Sequence, residues 1–276
     1  MTKNKRLRAI IYLVITALLW SMGGLLIKLV DLNSVAIAAG RSIIAAIIIM
    51  IVMGVPDFKI KKYEAFGALS YTSTVILYVS ATKMTTAANA ILLQYTAPVY
   101  VALLSAYFLN EKITAYDWFT ILIVVLGMSL FFFDKLAGGS ILGNILAILS
   151  GVGFALTAIF LRKLKDGKPI NLVIYGNILT GIIGMPFLIG KVPSGTSILG
   201  LILLGVFQLG ISYIFYSEAI KNVSALEGIL IPILEPILNP VWVFIFIGEK
   251  PGFWSLTGGL VVLTAITVRC VKNIRG

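Results

Sequence analysis

Histidine is absent from these 276 residues, which removes the usual near-neutral proton acceptor and the commonest metal ligand. Proton chemistry must then fall to carboxylates, and the chain has only 11 Asp and Glu residues. The single cysteine, Cys270, excludes a disulfide framework and any cysteine-based metal site. No aspartate falls inside a long apolar run, so the paired-aspartate, nucleophile–histidine and metal sets of intramembrane hydrolases are missing. A phosphate loop is missing too, since GMPFLIGK (184–191) has the wrong spacing for GxxxxGK[ST]. That argues against an ATP-driven pump, and no cofactor is expected.

What is present is hydrophobic. Residues of the set AVILMFWYC make up 59% of the chain and charged residues 12%, with apolar runs near membrane-spanning length from end to end. This composition predicts a polytopic, all-α membrane protein whose helices, rather than alternating strands, span the bilayer. Ten spans are expected, at about 9–29, 34–54, 65–82, 86–109, 116–133, 141–161, 171–190, 198–219, 225–247 and 253–270. They occupy nearly the whole chain, so no soluble domain is expected beside them. The basic start, MTKNKRLRAIIYLVITALLW, runs on to Leu29 without a small-residue cleavage site, and is expected to be the first helix of the mature protein.

The net charge of +11 is explained by placement. With the N-terminus inside, 16 of the 22 basic residues fall in cytoplasmic segments, five fall outside, and Arg41 stays within a span. The positive-inside rule therefore predicts both termini in the cytoplasm, and the basic excess reads as topology rather than a nucleic-acid footprint.

The chain also repeats itself. An offset of 138 aligns Tyr78 with Tyr216, Lys83 with Lys221, Pro98 with Pro236 and Glu111-Lys112 with Glu249-Lys250, with ten identities in 35 positions. An offset of 134 places Trp20 on Phe154 and Lys28 on Arg162. Two five-span halves follow, 1–137 and 138–276. Because five is odd, the second half must enter the membrane inverted, as in many secondary transporters.

Each half carries a proline 13 residues before a Glu-Lys pair, in TAPVYVALLSAYFLNEK (96–112) and LEPILNPVWVFIFIGEK (234–250). With LLWSMGGLLIK (18–28) and AGRSIIAA (39–46), these marks resemble the drug/metabolite transporter superfamily, in particular its ten-helix EamA-like family. The resemblance spans about residues 9–269. It implies ten helices as two inverted repeats around a central cavity, and movement of small metabolites such as amino acids, with efflux favoured. Its nucleotide-sugar and sugar-phosphate branch is the runner-up, but phosphate wants several deep Lys or Arg, and Arg41 stands alone. A gated channel and a membrane-embedded enzyme are the readings from other classes.

Within the ninth span, prolines remove backbone donors, so Pro232, Pro236 and Pro240 free the carbonyls of Gly228, Pro232 and Pro236. Such groups survive at membrane depth only against protein or a wet cavity, which predicts a bent, inward-facing helix. Glu235 lies ten residues from the start of that span, roughly 15 Å deep. Facing lipid, it would cost about 2.5 kcal/mol or more if ionised. Arg41 sits at a comparable depth. The functional expectation is that Glu235, alone or with Arg41, binds the charged groups of a zwitterionic substrate or exchanges a proton; the structural alternative is a permanent pair joining two helices. Asn239, Gln94, Tyr95, Tyr78 and Trp20 are further candidates for the pathway, with Pro98 a matching kink; Tyr71, Ser73 and Thr74 join Tyr78 in a cluster that reads equally as pore lining or as interhelical contact. Glu218 and Glu227 lie near the cytoplasmic ends of their helices, where solvation competes with a role in an acidic vestibule. Trp242 is expected as an interfacial anchor.

The expected partners are a small-molecule substrate, the bilayer, and a proton or counter-substrate as energy source. Nucleic acid is not expected. With both halves in one chain, a monomer in the cytoplasmic membrane suffices.

Overall fold

The apolar runs fold as helices, and several of them break where the sequence supplies a reason. In the computed structural model, which describes residues 3–135, 140–190, 193–247 and 252–275, the first run forms α1 (Lys3–Trp20) and α2 (Gly23–Leu29). The Gly23-Gly24 pair at the interruption is poor in a helix interior, yet a side chain at Gly23 would meet the Gln208 side chain at 2.5 Å. Only glycine admits that approach.

The second run is α3 (Ser34–Met53), opened by Asn33, whose side chain accepts from the Ala36 N–H at 2.8 Å. Then come α4 (Lys62–Met84), α5 (Ala87–Gln94), α6 (Ala97–Leu109) and α7 (Ala115–Lys135). After these follow α8 (Ile141–Lys163), α9 (Ile170–Gly184), α10 (Gly195–Leu203), α11 (Ser212–Ala219), α12 (Ala225–Leu230), α13 (Leu234–Ile247) and α14 (Phe253–Arg275). Pro98 sits in the first turn of α6, where its missing N–H costs nothing. A π-helical stretch, Leu204–Ile211, joins α10 to α11, and a 3-10 turn, Ile231–Ile233, joins α12 to α13.

All ten expected segments are helical, and no strand occurs among the described residues. Among the described residues, six helical stretches are long and apolar enough to cross a bilayer: Asn4–Leu29, Ser34–Met53, Asn89–Leu109, Ile141–Lys163, Ile170–Phe187 and Gly195–Asn222. Ile51 (74%), Leu103 (60%) and Ile245 (59%) stay exposed. That outward apolar surface suits lipid, not water.

The strongest packing joins the two parts of the chain. The α4 helix lies on α8, α3 on α9, α7 on α14 and α1 on α11, and α6 meets α12. Small residues set the distances, as lipid supplies no hydrophobic drive between helices. A Cβ at Gly153 would lie 2.7 Å from Thr74 Oγ1, and one at Gly151 2.6 Å from the Gln94 carbonyl oxygen.

Candidate functional site

The prolines of the ninth run orphan a carbonyl, and the structure shows what satisfies it. Pro236 has no N–H to offer the Pro232 carbonyl four residues earlier. The Tyr95 hydroxyl lies 2.7 Å from that oxygen, donating to it across the bundle. The same hydroxyl is 2.8 Å from Glu235 Oε2. Tyr95 and Glu235 are buried, so the acid faces protein and not lipid.

Beside this contact lies a small cavity of about 40 Å³, whose lining includes Trp20, Arg41, Tyr78, Gln94, Gln208 and Glu235. Four of the six stand at helix interruptions. Trp20 ends α1, Gln94 ends α5, Gln208 lies in the π-helical stretch and Glu235 opens α13. Interrupted helices bring loosened backbone and polar side chains to the middle of a bundle, the usual construction of a binding site at membrane depth.

Arg41 is 1% exposed. Its Nη1 donates to Gln208 Oε1 at 2.7 Å, its Nε has no hydrogen-bond partner, and it makes no ion pair among the described residues. Gln208 is in turn carried by a turn whose backbone carbonyl accepts from Ser212 Oγ, and Ser212 Oγ accepts from Trp20 Nε1 at 2.9 Å. Aromatic rings form the opposite wall. Trp20 packs against Phe154 and Tyr213 with ring centroids 5.5 and 5.2 Å away. The Tyr78 hydroxyl, also buried, meets no partner at hydrogen-bond geometry among the described residues.

Of the residues expected in a pathway, Trp20, Arg41, Tyr78, Gln94 and Glu235 line this cavity together, as does Thr74. Tyr95 stands behind Glu235 as its partner. Arg41 and Glu235 share the cavity without an ion pair between them, unlike the structural alternative of a permanent pair. The Asn239 and Pro240 side chains, and the Glu249-Lys250 pair, lie outside the described residues.

Two acids fall elsewhere. Glu227 does not line the cavity, nor is it a solvated helix end. At 4% exposure it pairs with Arg6 and lies 3.7 Å from Arg269 Nη1, while capping α12 through the Ser224 N–H at 3.0 Å. The reason is a charge 221 residues away that sequence spacing does not reveal. Glu218 is half-exposed and paired with Lys221 at 2.6 Å. Trp242 is half-buried and its Nε1 donates to Ser21 Oγ at 2.7 Å, so it ties α13 to the α1–α2 break instead of simply anchoring an interface.

Gln208 was the main residue not foreseen. Its signal was there: it is the sole amide between residues 198 and 219, flanked by Gly205 and Gly210. Among the described residues no cluster of three or more Asp, Glu, Cys or His is suited to a metal.

The profile of the EamA-like transporter family matches twice, over residues 7–133 and 141–269. Solute carrier family 35 member G1 of Mus musculus is 26% identical over 292 residues, covering 95% of this chain and 78% of that one. The uncharacterized transporter YdfC of Bacillus subtilis is 28% identical, covering 80% and 74%. The pseudopaline exporter CntI of Pseudomonas aeruginosa is 25% identical, covering 64% of each. One solved crystal structure superposes with a TM-score of 0.80 over 96% of this chain and 97% of that one, at 18% identity. That likeness shows a shared fold.

Proposed function

Because the chain belongs to the EamA-like transporter family, and is therefore a multi-pass membrane transporter, we propose that it moves a small metabolite, an amino acid or related compound, out of the cell. It does so across the cytoplasmic membrane as a secondary active carrier working by alternating access, driven by a proton or counter-substrate gradient. Two inverted five-helix halves, 1–137 and 138–276, form the pathway within one chain, with both termini inside.

The observation that carries this reading is the cavity at the four helix interruptions, where buried Arg41 and Glu235 stand unpaired with each other. A buried guanidinium and a buried carboxyl group held apart in a small cavity suit a small polar metabolite better than a large apolar drug. A two-fold relation between the halves is supported by packing. Advancing each partner by one half turns the α1–α11 contact into α8–α4 and the α6–α12 contact into α13–α5, and it exchanges the members of α3–α9 and α7–α14; with five spans in each half, such a relation is an inversion. A nucleotide-sugar or sugar-phosphate substrate fits less well, because Arg41 is the single cation among the lining residues. The exporter among the relatives favours efflux.

The test is counterflow in liposomes. Purified protein preloaded with unlabelled amino acids should take up labelled amino acid transiently above equilibrium, and Arg41→Gln should abolish the overshoot. Conductance without saturation or overshoot would replace the carrier with a channel.

A further inference from the structure

The two charges in the cavity are not equivalent, and the difference names the end of the substrate that is read. The Tyr95 hydroxyl has one hydrogen and two oxygen neighbours, Pro232 O at 2.7 Å and Glu235 Oε2 at 2.8 Å. Pro232 O cannot draw on residue 236, a proline without an N–H. Both short contacts are full two-centre hydrogen bonds when a second hydrogen sits on Glu235, which then donates to Tyr95 while Tyr95 donates to the carbonyl. With an ionised Glu235, one of the two contacts would set lone pairs against lone pairs in a buried place. No described cation lies within ion-pair distance of Glu235 to favour that form. In that arrangement Glu235 is satisfied by protein groups and presents no charge for an amine to meet.

Arg41 keeps its charge. Its guanidinium has five N–H donors, and among the described residues the one hydrogen-bond acceptor it meets is the neutral Gln208 amide. A buried cation without a counter-ion is costly, by several kcal/mol in typical protein interiors. It is tolerable where an anion arrives. The acids Glu111, Asp117, Glu218 and Glu227 are engaged in ion pairs elsewhere.

We infer that Arg41, oriented by Gln208, is the docking site for a substrate carboxylate, and that the cavity selects its ligand by the acid end and not by the amine end. This rests on the cavity being the transport site. The planar guanidinium matches a carboxylate in forked geometry. Gln208 occupies Nη1 and fixes the plane, leaving Nε for the incoming oxygen. The orphan Tyr78 hydroxyl and the Gln94 amide supply neutral groups for an amine, if there is one, and the Trp20, Phe154 and Tyr213 rings take the apolar body.

The experiment is a thermal-shift titration of the purified full chain with two sets of probes. One is leucine, isocaproate and isoamylamine; the other is phenylalanine, hydrocinnamate and phenethylamine. In at least one set, the amino acid and its desamino acid should stabilise the protein and the amine should not. Gln208→Glu places a permanent carboxylate where the Gln208 amide now meets Arg41, without change of shape. This variant should fold with a raised Tm and bind the carboxylates at least tenfold more weakly. Stabilisation by the amines to the same degree as by the amino acids, no stabilisation by any carboxylate, or unaltered binding in Gln208→Glu would each overturn the inference. The two readings fail separately. Carboxylates that bind but never exchange across liposomes sink the transport reading alone, whereas amines that exchange sink the carboxylate site alone.

Discussion

Two arginines are buried almost equally in this protein and live by different rules. Arg269, 4% exposed on α14, meets Asp117 Oδ1 through Nη2 at 2.9 Å and Nε at 3.0 Å, with Glu227 beyond. Arg41, 1% exposed on α3, meets one neutral amide. Asp117 is also held by Thr114, and Glu227 by Arg6 and Ser224, so the Arg269 neighbourhood is a closed network that ties α7, α12, α14 and the start of α1. The cavity is an open one. Burial alone thus says little about role; a charge whose partners are all internal holds helices together, and a charge that lacks them is kept for something that arrives.

The largest expected effect breaks the closed network. Arg269→Gln leaves Asp117 and Glu227 buried with less compensation, and should destabilise by about 3–5 kcal/mol, as removal of one partner from a buried pair does. Thermal unfolding in detergent would read it. Arg41→Gln should raise stability by about 1 kcal/mol or more, because it removes a costly uncompensated charge at the loss of one hydrogen bond. It should nevertheless abolish counterflow. Equal destabilisation by the two substitutions would erase the distinction drawn above.

An intermediate effect concerns the acid side of the cavity. Tyr95→Phe strips the Pro232 carbonyl and Glu235 of their shared partner, and should cost about 1–3 kcal/mol for buried groups left unsatisfied. Pro236→Ala supplies the missing N–H to the same carbonyl. In that background the cost of Tyr95→Phe should shrink by about 1 kcal/mol, a coupling that a double-mutant cycle measures. No coupling would mean that Tyr95 serves Glu235 only.

Much of this was legible in the chain. Span-length apolar runs gave ten helical segments, and the prolines correctly marked the breaks before α6 and between α12 and α13, because a missing N–H is a local property written in one residue. The inward face of Glu235 followed from the cost of a carboxyl against lipid. What was not legible was long-range. Nothing near residue 208 announces a π-helical turn, which arises where packing inserts an extra residue, and no spacing predicts that Glu227 meets Arg6. The Glu111 carboxylate, prominent as a repeated mark, proves to accept from Arg162 Nε at 2.8 Å and from the Ala225 N–H at 3.0 Å, thereby fixing the start of α12. Its role is set by two neighbours from the other part of the chain.

The smallest expected effect tests where the pathway stops. The Glu218 side chain is 38% exposed and its partner Lys221 27%, one helical turn on, so the pair works mostly in solvent. Such i,i+3 pairs contribute about 0.2–0.5 kcal/mol. Glu218→Gln should therefore shift Tm by no more than a degree or two, and leave counterflow at the wild-type rate, if binding is confined to the cavity around Arg41. Glu218 does share a surface cleft with Lys5, Arg8 and Tyr12 at the end of the bundle where α1 begins. A clear fall in counterflow with unchanged stability would extend the route of the substrate to that cleft, and would make a half-exposed, fully paired acid part of the transport path despite its ion pair.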